Sequence, residues 1–535
     1  MKSFLFNYLL PILVICTVIS CTKKDVAYDE SMVFRYNEHA NISSLDPAFA
    51  KDQRNIWACH QLYNTLVELD KDLNIIPSLA NDWKISDDGL TYDFFLRKDV
   101  YFHKHSIFGK DSTRLLEAKD VAYSLKRLKD PQVASPGSWI LKNLDRIEVV
   151  SQYHLKFHLK KNFPAFLGIL SMKYASVIPI ETEAANFSFR EHPIGSGPFH
   201  FKRWVENEKL VFRKNPLYWE TDEQGNSLPY IEAIAITFLP DKQSEFMQFM
   251  QGNIDFLSGL HPSYKDELLS LDGELKSELQ EKFRLNKSPY LNTEYIGFYL
   301  PKNESAVQNK NFRKAFHYGF DREIMMKYLR NNIGKPATGG IIPNSMPGSI
   351  EQNKALYQPE KAKKFLDRYK EETQDNNPSI SIATNSSYMD LIEFIQQELK
   401  KIGIEVLVDV MPASTLLQQR SSGQLEAFRG SWVADYPDAE NYLGLFYSGN
   451  FSPNGPNYTH FTNATFDELF TNAYTKNEIF NRVEDYQKMD SIIAEELPVS
   501  PLFYDEVVRF TSKKIENLPA NALNLLELRK LKKLK

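Results

Sequence analysis

Cysteine is scarce in this chain: three in 535 residues, at Cys16, Cys21 and Cys59. Two of them fall in the N-terminal segment, so only Cys59 belongs to the body of the protein. One thiol cannot close an internal disulfide, which excludes a disulfide framework and leaves stability to the hydrophobic cores. Catalytic signatures are missing as well. There is no His-Glu-x-x-His, no Gly-x-Ser-x-Gly and no Gly-x-x-x-x-Gly-Lys-Ser/Thr, the patterns of zinc peptidases, serine hydrolases and phosphate-binding loops. Repeats and low-complexity tracts are absent. A formal net charge of −5 gives no basic excess for nucleic acid. The uncharged, mostly apolar run at 4–19 has 16 residues, short for a membrane span.

What is present is the composition of a soluble globular protein, 42% hydrophobic and 25% charged, with a length that suits about three domains. Aromatic residues reach 13%, enough to fill cores and also to line a cleft with rings. The N-terminus has the layout of a targeting segment: Lys2, the apolar run, then Val18-Ile19-Ser20-Cys21. This end resembles the lipobox of bacterial lipoproteins, in which the Cys is acylated and becomes the mature N-terminus. The expectation is a signal peptide at 1–20 and a polar, lipid-anchored tether at 21–31, with Cys21 carrying the lipid.

Hydrophobic periodicity alternates between helix and strand along the rest of the chain. Helices are expected at 52–67, 118–128, 310–329, 359–369, 388–402, 463–473 and 482–496. Strands are expected at 90–96, 210–213 and 234–238, a hairpin at 146–159, and a βαβ unit with strands at 380–382 and 404–408. Cys59 lies on a helical stripe and reads as a packed small hydrophobe. His103 and His105 would share one strand face, but no third metal ligand lies nearby, so they read as solvated histidines. Gly195-Ser-Gly197 reads as a turn of unusual backbone angles, with a hinge as the alternative. The basic end, 529–535, reads as a solvated tail.

Several short motifs follow in order: Pro77-Ser-Leu-Ala-Asn-Asp-Trp83, Ser86-Asp-Asp-Gly-Leu-Thr-Tyr92, Ala118-Lys-Asp-Val-Ala-Tyr-Ser124, Pro193-Ile-Gly-Ser-Gly-Pro-Phe199, Arg213-Lys-Asn-Pro-Leu-Tyr-Trp219 and Phe312-Arg-Lys-Ala-Phe-His-Tyr-Gly-Phe-Asp-Arg322. Each is weak alone. Together, over residues 32–530, they resemble the family 5 solute-binding proteins of ABC importers, the oligopeptide and dipeptide binders. The resemblance implies an α/β, two-lobed periplasmic-binding-protein fold (type II, cluster C-like) with an extra small domain. Lobe I would combine 32–63, 180–262 and 506–535. The small domain would be 64–179 and lobe II 263–505.

The stretch RGSWVADYPDAENYL at 429–443 starts like a buried strand and ends like a helix start. Members of the family bind a peptide as an added strand and hold its ammonium with an Asp three residues after a Trp. By that resemblance Asp435, after Trp432, receives the α-amino group. Arg429, three residues before the same Trp, would receive a short peptide's carboxylate. Val433 would lie along the ligand, and Tyr504 and Gln53 fall near cleft positions. Ala439 departs from the family's pattern, where Pro is common. The implied function is an extracytoplasmic receptor that captures di- or oligopeptides and delivers them to the permease and ATPase subunits of an ABC importer. It would be a monomer tethered to the membrane at the cell envelope, in periplasm or at the surface. No cofactor, metal, nucleic acid or catalytic residue is expected. The alternatives are another solute in the same fold (a sugar, a metal chelate or haem), a secreted hydrolase such as a peptidase, or a surface adhesin.

Overall fold

A computed structural model describes residues 29–183, 187–302, 305–350, 356–476 and 479–535. The signal-peptide and lipobox reading, with Cys21, lies outside the described residues. Among those described, no helix is long and apolar enough to cross a membrane.

One mixed sheet runs through the molecule. Its spatial order is Glu405–Val410, Ser379–Thr384, Ala427–Val433, Phe283–Phe298, Val499–Ser512, Phe256–Ser258, Val33–Asn37, Ala233–Thr237, Lys209–Lys214 and Phe199–Val205. At one end, Val33–Asn37 and Ala233–Thr237 pair in parallel, Phe34 opposite Ile234. Ala233–Ile236 are all buried, as a strand covered on both faces requires. Phe34, Tyr36, Trp57, Phe212 and Phe256 form the core of this lobe.

At the other end, Ser379–Thr384 and Glu405–Val410 pair in parallel around the helix Met389–Lys400. That helix buries Leu391, Ile392, Ile395 and Leu399, spaced at one, three and four as an amphipathic face demands. Both faces of this second sheet region are covered. Tyr295 and Phe428 pack against the helices Ala464–Ala473 and Ile479–Glu496. Ile296 and Phe298 pack against Lys310–Tyr318 and Met389–Lys400.

The two lobes are joined by the longest strands, Phe283–Phe298 and Val499–Ser512. They pair from Phe283–Ser512 to Pro289–Glu506, lose register, and pair again from Thr293–Tyr504 to Gly297–Val499. Pro289 has no N–H to give the ladder, which suits it to the point where pairing lapses. A smaller unit stands apart: a four-stranded antiparallel sheet ordered Ala80–Ile85, Thr91–Leu96, His154–Leu159, Leu144–Ser151, closed by the helix Ala118–Leu128. That helix starts in a capping box between Glu117 and Asp120. A residue from far along the chain, Tyr436, completes this unit's core.

Five local expectations need correction. The helix expected at 52–67 ends at Leu62, and Val67 already begins a strand. The helix expected at 310–329 is two helices, Lys310–Tyr318 and Arg322–Arg330. Asp321 caps the second by accepting from the N–H groups of Glu323 and Ile324, so the side chain competes successfully for a break. Gly195 and Gly197 do not take left-handed angles. They are required because a Cβ would lie 2.0 Å from the Leu62 carbonyl oxygen at Gly195 and 2.5 Å from the Leu62 carbonyl carbon at Gly197. His103 is not solvated: it is buried, its Nδ1 accepts from the Gly195 N–H at 3.3 Å and its Nε2 lies 3.0 Å from the Gly197 carbonyl. Burial lowers its pKa to about 3, so it stays neutral and locks the glycine turn in place. The tail at 529–535 is not free either. Arg529 pairs with Glu68 at 2.8 Å and Glu220 at 3.1 Å, and Lys533 pairs with Asp255 at 2.7 Å. Cys59 is buried, and burial pushes its thiol well up, which makes it inert.

Candidate functional site

The strand Ala427–Val433 pairs along one edge with Phe283–Phe298, from Ala427–Phe298 to Val433–Asn292. Its other edge meets Ser379–Thr384 only at Ala427 and Phe428. Beyond Phe428 the outer edge of 429–433 joins no ladder among the described residues. A strand edge with unpaired main-chain groups is a template for one more strand. Asp435 stands just past the end of this edge.

The backbone there is pinned from both sides. The Ala434 N–H donates to the Leu291 carbonyl at 2.8 Å. The Asn441 side-chain oxygen accepts from the Trp432 indole at 2.8 Å and from the Asp435 N–H at 3.2 Å. Tyr436 turns away into the small unit's core, where the Cβ position of Gly168 lies only 3.3 Å from the Tyr436 Cβ. One clamp thus ties the strand end to the lobe, and the next residue ties it to the small unit.

Asp435 itself remains open to solvent but is surrounded by protein on most sides. That crowding pushes its carboxyl up to about 6, against a hydrogen bond from the Asn441 amide that favours the ionised form. Its charge is felt by Tyr174 of the small unit, whose phenol is pushed up to about 12, first by burial and then by Asp435 and Asp52. Asp52 caps the lobe I helix Gln53–Leu62. Asp435 therefore lies where the two lobes and the small unit converge.

Arg429 has a different setting. It is buried, and its guanidinium donates to Glu294 in a close ion pair. The Tyr388 ring stacks on it, 3.4 Å from ring centroid to guanidinium carbon. Glu294 sits on the facing strand opposite Ser431 and also accepts from the Asn292 amide at 3.0 Å. Burial raises the Glu294 carboxyl, with Arg429 opposing that shift. A second pair follows: Arg330 donates to Asp505 at 2.9 Å.

The remaining expected residues divide. Val433 is exposed at the strand end, and Trp432 is half-buried against the lobe core. Tyr504 is buried, and its hydroxyl donates to the Gly340 carbonyl at 2.9 Å. Gln53 is half-buried and donates to the Asn524 carbonyl at 2.9 Å, an acceptor it shares with the Trp57 indole. Sequence reasoning missed Glu294, Tyr388 and Asn441. Only Asn441 had a local signal, an amide at the start of the short helix that follows Asp435. No group of three or more His, Cys, Asp or Glu among the described residues could hold a metal ion.

A family model described as bacterial extracellular solute-binding proteins, family 5, matches residues 74–454. The chain belongs to this family. The glutathione-binding protein GsiB of Salmonella choleraesuis is 27% identical over 483 residues, covering 89% of this chain and 90% of that protein. The periplasmic binding protein DppA from Helicobacter pylori, solved with the peptide STSA, is 25% identical with a TM-score of 0.78, covering 94% of this chain and 98% of that one. NikZ from Campylobacter jejuni, solved with Ni(L-His), has the same fold at 21% identity and a TM-score of 0.73, covering 94% and 97%. The two-lobed α/β fold is thus the family's own, and the chain's place is among receptors for solutes of ABC importers.

Proposed function

We propose that this protein is a non-catalytic receptor for di- or oligopeptides, which it passes to an ABC permease and its ATPase. The observation that carries this reading is the free strand edge at 429–433 ending at Asp435, a carboxylate open to solvent in a crowded recess. A peptide antiparallel to this edge gains main-chain hydrogen bonds whatever its side chains. Its ammonium, stripped of water by enclosure, then finds a negative partner at Asp435. Relatives with glutathione or a peptide in their printed names support the reading. Val433 and Trp432 would flank the ligand's first residues. The working division of the chain is lobe I from 32–63, 180–262 and 506–535, the small domain 64–179 and lobe II 263–505, with the protein acting as a monomer.

Calorimetry with short peptides, free and N-acetylated, tests the assignment. Free-amine peptides bind and acetylated ones bind poorly; equal binding of both would remove Asp435 as the ammonium partner. Incubation with the same peptides should release no cleavage products. The anchoring part of the proposal rests on the lipobox-like Val18-Ile19-Ser20-Cys21. Cys21→Ser should yield soluble protein, and a variant that still stays with salt-washed membranes would refute the lipid anchor.

A further inference from the structure

The recess beside the free strand edge carries two guanidinium groups, Arg429 and Arg330, and each already faces a carboxylate of the chain, Glu294 and Asp505. Asn292 joins the two pairs, 3.0 Å from Glu294 and 3.5 Å from Asp505. Counting Asp435, this wall holds three carboxylates and two guanidiniums, a formal excess of one negative charge. One ligand ammonium balances it. A ligand carboxylate enclosed at Arg429 would restore the imbalance and set two carboxylates against one guanidinium in a buried place. Like charges brought together away from water repel strongly. The Tyr388 ring stacks on one face of the Arg429 guanidinium and so fixes its plane beside Glu294.

We propose that Glu294 is a specificity-determining residue: by occupying Arg429 it removes the carboxylate receptor from the recess. The ligand class is then peptides recognised through the ammonium alone, whose C-terminus is blocked, or lies beyond the strand edge. This inference rests on the peptide reading above and narrows it. It also revises the role expected for Arg429, which becomes the partner that holds Glu294 rather than a ligand contact. Arg429 and Asp435 stand six positions apart, but the strand ends at Val433 and Asp435 lies in the bend after it, so the gap left beyond the Arg429 side chain holds at most about four extended residues.

The test uses the full-length protein and matched probes: tri-alanine and tetra-alanine, each as free acid and as C-terminal amide, all with free amines. Calorimetry at neutral pH gives the acid-to-amide affinity ratio. In the wild type the acid should gain less than about fivefold over the amide, because no free cation awaits its carboxylate. Glu294→Gln frees Arg429, and the ratio should then shift toward the acid by about tenfold or more. An acid preference above that fivefold line in the wild type overturns the inference, as does an unchanged ratio in Glu294→Gln. If Glu294→Gln fails to fold, the wild-type ratio still decides. If none of the four probes binds, the peptide reading falls and this inference with it; binding with a strong acid preference refutes the inference alone.

Discussion

Two opposite charges, one inside a short strand and one just past its end, meet opposite fates. At Asp435 the carboxylate is open to solvent, with a single amide for company and its pKa raised by crowding. At Arg429 the guanidinium is buried, ion-paired to Glu294 and stacked under Tyr388. Six residues apart, they look like a matched pair of anchors for the two ends of a peptide. In the structure Asp435 has only a side-chain amide beside it, whereas Arg429 has Glu294 as an ion-pair partner. A charge in a binding motif counts for recognition only if the chain has left it without a partner.

Breaking the ion pair should give the largest effect, and on stability. Arg429→Gln leaves Glu294 buried without its cation, so unfolding in denaturant should show a loss of about 3–5 kcal/mol. The double variant Arg429→Gln with Glu294→Gln should recover much of it. Equal losses in the single and double variants would mean that the pair is not the source. Removing the Asp435 charge should act on binding instead. Asp435→Asn should weaken free-amine peptides by about 2–5 kcal/mol, roughly 30- to several-thousand-fold, with little change in the melting temperature of the unliganded protein. N-acetylated peptides should barely distinguish wild type from variant. Additive effects of acetylation and Asp435→Asn would separate the carboxylate from the amine.

The pH dependence sharpens the same contrast. A proton competes with the ligand's ammonium for Asp435 below about pH 6. Affinity for free-amine peptides should hold near neutrality and fall as pH drops through 6, by about tenfold per unit once protonation dominates. The unliganded protein moves the other way. The folded carboxyl keeps its proton where an ordinary Asp, near 3.9, has lost it, so its contribution to folding weakens as pH rises from about 4 through 6. Asp435→Asn should flatten both profiles between pH 5 and 7; a wild-type affinity that stays level across that window would discard the raised carboxyl as the binding group. The smallest effect is expected at the clamp. Asn441→Ala strands the Trp432 indole and the Asp435 N–H, with a cost of about 1–3 kcal/mol in stability. Peptide affinity should drop alongside, and an unchanged affinity would show that the strand end holds its shape without Asn441.

Much of the fold was legible. The helix Ala118–Leu128 appears at its expected bounds because Val121, Leu125 and Leu128 sit at helical spacing behind a charged cap. The βαβ unit of lobe II follows from two apolar strands around an amphipathic helix. The break at Asp321 was missed because the apolar period runs on through it while the cap works at the scale of a single side chain. The tail at 529–535 was misjudged for another reason. Glu68, Glu220 and Asp255, which receive its charges, lie hundreds of residues away in the chain.

The site divides along the same line. Sequence by itself determined what depends on near neighbours: a strand-like start at Arg429, a helix start further on, and the Arg-x-x-Trp-x-x-Asp spacing that marks the family. Only the tertiary structure decided which of those charges is available. Glu294 reaches Arg429 across 135 positions of chain, through the register of two paired strands. Periodicity reports which face a residue occupies; it carries no record of what the fold places opposite. Whether a charge is spent or free is set by distances of a few ångströms between distant segments, and burial then magnifies the difference.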